Sequence, residues 1–426
     1  MENIPFDVSL DLALTGEGAP PQAHYEEALG LASGSLAWLR DAYAERSLEL
    51  LGLPARTDDL DTARPVAEKF LKDTTGIVVY GIGGSSLGAR ALAALRPANA
   101  KGPRLSVIDN PDPFSLTADL ARFDLKTTRF VSVSKSGSTA ETLLQTLVTA
   151  EALERAGLVL RDHFVAITEP KPSVMRKFAE DIGAPILDHP MGVGGRYAVL
   201  TLVGMFPAML MGLDVNAIRA GAGSVVASAV SGAFADKIAP ASGAALHFAL
   251  ARADRLRETV LWSYADKLGV FGAWWRQLWA ESLGKDGQGS TPVAALGPVD
   301  QHSQLQLFRD GPGGALFTLL SIDTKGQGPA VPPARANALG LSYVAGKTAG
   351  DLVAAEVRAT AETLHGNGRP VRRIHVPKID EYSMGALMMH FMLETILMGR
   401  LMQVDPFDQP GVEEGKVLAR KYLAEG

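Results

Sequence analysis

Cysteine does not occur among the 426 residues. Its absence removes disulfides, thiolate catalysis and Cys-ligated metal sites together, and rules out a secreted disulfide scaffold. A basic balance is missing too: Lys and Arg number 41 against 47 Asp and Glu, giving a net charge of −6 with no long basic run. Nucleic acid is therefore not expected as the main partner. Apolar runs fit to cross a membrane are also lacking. The best candidates, "AVLTLVGMFPAMLMGLDV" (198–215) and "SMGALMMHFMLETILMGRLM" (383–402), carry Pro207 and Asp214 in one and His390, Glu394 and Arg400 in the other. A span needs roughly 20 nearly uncharged residues, so both read as buried helices, the methionines of the second serving as adaptable core filler. The opening "MENIPFDVSLDLALTGEG" has neither the basic start nor the apolar centre of a signal peptide. A soluble, cytoplasmic protein without a membrane partner is the expectation.

What is present is an apolar content of 47% in a chain long enough for two or three domains. Short β-branched runs alternate with helical stretches, the pattern of parallel sheets with crossover helices. Strands are expected at 76–82, 104–109, 128–134 and 163–168. After an Ala- and Gly-rich helical zone at 196–256, they are expected again at 258–264, 291–296, 315–321 and 372–377. The fold class is α/β with two doubly wound units and a boundary near residue 215. A Pro- and Gly-rich loop is expected at 323–337.

Two glycine- or hydroxyl-rich turns join strands to helices. "GIGGSSLGARAL" (81–92) lets backbone N–H groups and a helix N-terminus face an anion. A dinucleotide site is the rival reading, with Asp109 ending the next strand as a ribose-binding acid. The spacing argues against it, because Ser86 stands where the fingerprint needs its third glycine. The second turn, "SVSKSGSTAET" (132–142), places Ser134, Ser136, Ser138, Thr139 and Thr142 within nine residues. A capping box from Ser138 to Glu141 accounts for one or two of these hydroxyls. Five of them suit the three acceptor oxygens of a phosphate monoester. Neither turn ends in the Lys-Ser/Thr of a P-loop, so a nucleoside triphosphate is not expected.

With thiols excluded, acid–base chemistry falls to carboxylates, histidines and lysines. In "WWRQLWAESLGKDG" (274–287), Gln277 and Glu281 are four apart and share a helix face, and Gly284 stops the helix. Glu281 is a candidate general base; the competing reading is an ordinary solvent-facing helix residue. His302 in "VDQHSQLQLFRDGP" (299–312) lies among polar groups, whereas His247 and His390 lie in apolar runs and read as core or helix-face residues. A third cluster, "PFDQPGVEEGK" (406–416), leads into a C-terminal helix. No His and carboxylate spacing points to a metal site, so chemistry without metal or other cofactor is expected.

Six motifs, "GIGGSSLG", "SKSGSTAET", "GGRYA" (194–198), "ESLGKDG", "DQHSQLQ" and "FDQPGVEEGK", stand in the order found in the glucose-6-phosphate isomerase family, which the chain resembles over roughly 76–421. The resemblance implies two sugar-isomerase (SIS) domains, each an α-β-α sandwich, and a C-terminal helix that completes the active site. The expected division is 1–215, 216–405 and 406–426. The substrate is then a phosphorylated hexose, interconverted between glucose 6-phosphate and fructose 6-phosphate through an enediolate in glycolysis and gluconeogenesis. The implied phosphate site comprises Gly84, Ser85, Ser134, Lys135, Ser136, Thr139 and Thr142. Glu281 matches the family's proton-transferring base and Arg196 its enediolate-stabilising arginine. His302 and Lys416 match the ring-opening pair, and Gln277 and Gln409 substrate contacts. A homodimer with His302 lent across the interface is also implied. Leu283 and Ala198 depart from the family's usual Asn and Ser, which puts local hydrogen bonding in question. Two alternatives stay open, an isomerase that also accepts mannose 6-phosphate and a non-catalytic sugar-phosphate sensor. A sensor does not need Glu281, Arg196, His302 and Lys416 together.

Overall fold

The computed structural model describes residues 4–97 and 99–425. Ten strands are present among them: β1 (Asp7–Ser9), β2 (Gly76–Tyr80), β3 (Arg104–Ile108), β4 (Thr128–Val133), β5 (Phe164–Thr168), β6 (Ile186–Asp188), β7 (Glu258–Ser263), β8 (Thr291–Leu296), β9 (Ala315–Ile322) and β10 (Val371–Val376). All eight expected strands occur, each within two residues of its expected ends. The two additions, β1 and β6, are three-residue edge strands, too short to carry a readable apolar alternation.

The strands form two five-stranded sheets, ordered β3-β2-β4-β5-β6 and β1-β10-β9-β7-β8. Every pairing is parallel except that of β1 with β10. The near-continuous apolar runs follow from this, since helices cover both faces of a parallel sheet. Alternate residues of one strand enter different cores. Ile77, Val79, Val131 and Val133 join the large central core, while Val78, Tyr80 and Phe130 pack on the outer face of the first sheet. In the second sheet Leu261 and Ile374 point to the same central core, and Val260, Trp262 and Phe317 point away from it.

Both sheets wind alike. In each, the first parallel strand (β2 or β7) has its successor on one side and the next strand on the other, so the order reverses between β2 and β4 and again between β7 and β9. Such a reversal opens a crevice at the carboxyl ends of the two strands, where open α/β sheets bind ligands. The glycine turn follows β2 and the hydroxyl turn follows β4. The fold therefore brings the two suspected anion loops, about fifty residues apart in sequence, to one crevice.

The stretches screened for membrane spans are interior. The helix Glu381–Met402 is buried along nearly its whole length, and no helix among the described residues is long and apolar enough to cross a membrane. Its Glu394 is fully buried, 2.6 Å from Arg372 and within 3.2 Å of both His247 and His390. His247 also packs at a tilt against Trp279, 4.6 Å between ring centroids, which ties this buried ionic cluster to the helix carrying Gln277 and Glu281. Burial opposes charge on Glu394, but Arg372 and the two imidazoles outweigh it and hold the carboxyl well below the ordinary glutamate range.

Candidate active site

The turn after β2 becomes a 3-10 segment, Gly83–Ser85, before the helix Leu87–Ala93. Gly83 has φ +59°, and a Cβ there would stand 2.7 Å from Gln277 Nε2; a Cβ on Gly84 would overlap the Gly195 carbonyl. Glycine is thus required for contact as well as for conformation. Side chains at 83 and 84 would push this loop off both the Gly194–Gly195 turn and the helix Gly269–Leu283. The dinucleotide reading loses its acid, because Asp109 is taken by Arg90 at 2.8 Å, while Ser86 bonds back to the Gly83 carbonyl at 3.0 Å.

In the turn after β4 the helix Ala140–Arg155 begins with Thr139 as N-cap, and no side chain caps it. The rival Ser138–Glu141 capping box is therefore not formed, and the hydroxyls are not consumed by capping. Ser134 and Thr139 share a 2.9 Å hydrogen bond, Ser136 Oγ accepts from the Ser138 N–H and hydroxyl, and buried Thr142 Oγ1 has no hydrogen-bond partner. A buried hydroxyl left unmatched is costly unless a ligand or water completes it. Lys135 lies 3.6 Å from the buried carboxylate of Glu169, which also pairs with Lys171. One short loop thus offers several small donors and a cation.

The helix Gly269–Leu283 buries Phe271, Trp274, Trp275, Leu278 and Trp279. That leaves Gln277 and Glu281 together on the half-buried face, where Gln277 Nε2 donates to Glu281 Oε1 at 3.0 Å. The competing surface reading of Glu281 fails here, since its other oxygen lies 3.4 Å from Arg196 Nη1. Arg196 is only 3% exposed. Its Nε donates to Ser282 Oγ at 2.8 Å, Nη1 to Gln409 Oε1 at 2.5 Å, and Nη2 to the carbonyls of Pro406 at 2.8 Å and Asp408 at 2.5 Å. Tyr197 braces the same groups, sharing a 3.1 Å bond with Ser282 Oγ and donating to Pro406 O. Burial pushes its phenol up to about 12, so it remains a neutral donor. A carboxylate and a fixed guanidinium, from segments 85 residues apart, meet beside the glycine turn Gly83–Ser85.

The two departures lie outside these polar contacts. Leu283 and Ala198 are each 1% exposed and belong to the apolar core, while their neighbours Ser282 and Tyr197 supply the polar contacts.

Two expected site residues are not joined to this cluster by a hydrogen bond or ion pair among the described residues. His302 ends the 3-10 segment Val299–His302 after β8 and is exposed. Its neighbours anchor that turn: Gln301 bonds Tyr264 and Thr360, and Asp300 accepts from the Leu296 N–H and Ser303. Desolvation works against the Asp300 charge, yet these hydrogen bonds keep the carboxyl below its usual range. Lys416 lies on the helix Glu413–Glu425, which buries no residue, and pairs with Glu413 at 2.7 Å. Among the described residues, no hydrogen bond or ion pair joins either one to Glu281 or Arg196. The residues that sequence reasoning did not single out are Ser282, Tyr197, Asp408 and the carbonyl of Pro406. Their signal was position alone, each lying inside or beside a quoted motif.

The family model described as phosphoglucose isomerase matches residues 64–299 and 334–425. The chain belongs to the phosphoglucose isomerase family. Among its relatives, the glucose-6-phosphate isomerase of Rubrobacter xylanophilus is 38% identical over 377 residues, 85% of this chain and 86% of that protein. A Thermus thermophilus enzyme of the same name is 38% identical over 386 residues, 88% of this chain and 90% of its own length. The crystal structure of a hypothetical protein from Thermus thermophilus superposes with a TM-score of 0.86 at 34% identity, covering 98% of this chain and all of that one. A glucose-6-phosphate isomerase structure from Chlamydia trachomatis gives 0.84 at 19% identity, covering 99% and 89%, and so shares the fold. The two sheets, wound alike, make two α/β units, the first carrying the glycine and hydroxyl turns and the second the helix with Glu281.

Proposed function

We propose that the chain interconverts glucose 6-phosphate and fructose 6-phosphate, a step of glycolysis and gluconeogenesis, without metal or redox cofactor. The observation that carries this reading is the Glu281–Arg196 pair held beside the glycine turn Gly83–Ser85, which follows the strand next to the one that leads into the Ser134–Thr142 loop. The phosphate sits among Ser134, Lys135, Ser136, Thr139 and Thr142, with the backbone at Gly84 and Ser85 closing the other side. On the open-chain aldose, Glu281 removes the proton from C2, the electron pair forms the C1–C2 double bond, and negative charge develops on oxygen. Arg196 stabilises that charge with a guanidinium already oriented by four hydrogen-bond acceptors. The hydroxyl proton shifts from O2 to O1, and return of the first proton to C1 as O2 becomes the carbonyl gives the ketose. A proton has moved within one molecule, so no oxidant or reductant is consumed.

Gln277 orients the base and Gln409 holds Arg196 beside the substrate. His302 and Lys416 open the pyranose ring, the histidine arriving from the second copy of a homodimer. The exposed position of His302 on an anchored turn supports that arrangement. In functional terms 1–215 supplies the phosphate grip and Arg196, 216–405 the base and histidine, and 406–426 Gln409 and Lys416. The strand β1 crosses from the first segment to the edge of the second sheet. The cytoplasm is the expected location. The test is direct: chelator-treated protein is given fructose 6-phosphate, and glucose 6-phosphate is read out through a coupled dehydrogenase. Absence of turnover by folded protein would refute the reading.

A further inference from the structure

We infer that Lys285 is a positioning residue that sets the placement of Arg196 relative to Glu281; this rests on the reading of those two residues as catalytic. Arg196 has two supports. One is Ser282, on the same helix as Glu281. The other is the turn at 405–409, whose Pro406 and Asp408 carbonyls take both Nη2 bonds and whose Gln409 side chain takes one from Nη1. That turn lies more than 200 residues from Arg196 in sequence. Lys285 ties it back to the base helix: its Nζ lies 2.6 Å from Asp408 Oδ1 and donates to the Asp405 carbonyl.

The position of the lysine favours this role. It follows the helix that ends at Leu283, with Gly284 as the C-cap, so its ammonium lies near the negative end of the helix dipole. Its side chain is only 11% exposed while that of Asp408 is 55% exposed. A largely buried ammonium must keep its partners, whereas a solvent-facing pair would be weakly held. The lysine thus imposes its geometry on the turn. The chain of contacts runs Glu281, helix end, Lys285, Asp408 and Asp405, then the carbonyls on Arg196. Nothing in it touches the phosphate loop.

The prediction separates transition-state placement from ground-state binding. With parent activity and its loss in Glu281→Gln first established, Lys285→Met should lower kcat about tenfold to a hundredfold, the range a displacement near 1 Å produces. KM for fructose 6-phosphate and competitive inhibition by inorganic phosphate should stay within about twofold. Affinity for a phosphorylated sugar hydroxamate, which mimics the enediolate, should fall in parallel with kcat. Lys285→Arg should recover most of the loss. Asp408→Ala, altering an exposed side chain, should lower kcat in the same way, and the double variant should be little worse than Lys285→Met alone because the two act as one unit. The inference is overturned if kcat of folded Lys285→Met or Asp408→Ala stays within about twofold of parent. Equal weakening of phosphate inhibition, or losses that multiply in the double variant, would overturn it too. If Lys285→Met does not fold, Asp408→Ala decides. Inactive parent protein would instead refute the proposed function, a distinguishable failure.

Discussion

Glu281→Gln isolates chemistry from architecture. The substitution keeps volume and shape, and an amide oxygen can still accept from Gln277 Nε2, now 3.0 Å away. What is lost is charge. A hydrogen bond to a charged group is worth about 1.5–3 kcal/mol against about 0.5–1.5 kcal/mol for a neutral one, so one bond weakens by about 1 kcal/mol. The ion pair with Arg196 is long, at 3.4 Å, and the Glu281 side chain is 31% exposed, so solvent screens it and its loss adds a few tenths of a kcal/mol at most. Arg196 keeps its other four contacts. Folding stability should fall by about 1 kcal/mol, a melting shift of only about 1 °C in a chain of this size. Activity should respond on another scale, because removing a general base costs about 10²–10⁴-fold in kcat while phosphate binding, and hence KM, is untouched. The coupled dehydrogenase assay gives both constants, and NMR in deuterated buffer follows exchange at C2 of glucose 6-phosphate. Continued exchange at the parent rate, or kcat within about tenfold of parent, would place the base elsewhere.

Three further outcomes follow from the same contacts. Ser134→Ala with Thr139→Val removes the 2.9 Å hydroxyl pair of the phosphate loop and should raise KM and the inhibition constant for inorganic phosphate by tenfold or more at about 1.4 kcal/mol per decade, with kcat much less affected. Arg196→Lys retains a charge but cannot span Ser282, Gln409 and two carbonyls at once, so kcat should fall by about 10²-fold, within the range for loss of an oxyanion donor, and partly survive relative to Arg196→Ala. Glu394→Gln leaves Arg372 buried without its counter-ion and should cost about 3–5 kcal/mol, measured by urea unfolding at neutral pH. Since the Glu394 carboxyl is held below its ordinary range, its contribution is complete above that range and is lost progressively as pH falls from there down through the lowered folded value. The variant's deficit should therefore shrink in acid.

The strands were legible because both faces of each sheet are covered, which forces near-continuous apolar runs such as "GIVVY" and "FVAIT". Strand order was not legible, yet the order is what brings the turns after β2 and β4 to one crevice. The Gln277–Glu281 pair could be read from spacing, since four residues on a helix fix a shared face. No local pattern marks Arg196. Its role entered through resemblance, and its surroundings are made by carbonyls and side chains that arrive from about 85 to 210 positions away. Reading His247 and His390 as core residues was correct, but their shared partner Glu394 and its pairing with Arg372 are products of tertiary packing.

The exposed turn bearing His302 leads to the most demanding test. In one chain, His302 and Glu281 share no hydrogen bond or ion pair among the described residues, and the turn is pinned by Gln301 to Tyr264 and Thr360, which limits how far the histidine can swing. If it acts on a sugar bound beside Glu281, a second copy is the natural source. A two-fold dimer lends the residue twice. Two inactive variants, Glu281→Gln and His302→Ala, are mixed, unfolded and refolded together. In a mixed dimer with lent histidines, one pocket collects both defects and the other collects neither. Random pairing makes about half the dimers mixed, so about a quarter of parental activity should return. With each histidine serving its own chain, every pocket keeps one defect and activity stays absent. A parent-only refolding control fixes the recoverable maximum, and size and mass measurements establish that mixed dimers form. Mixed dimers as inactive as their parents would refute the lending of His302.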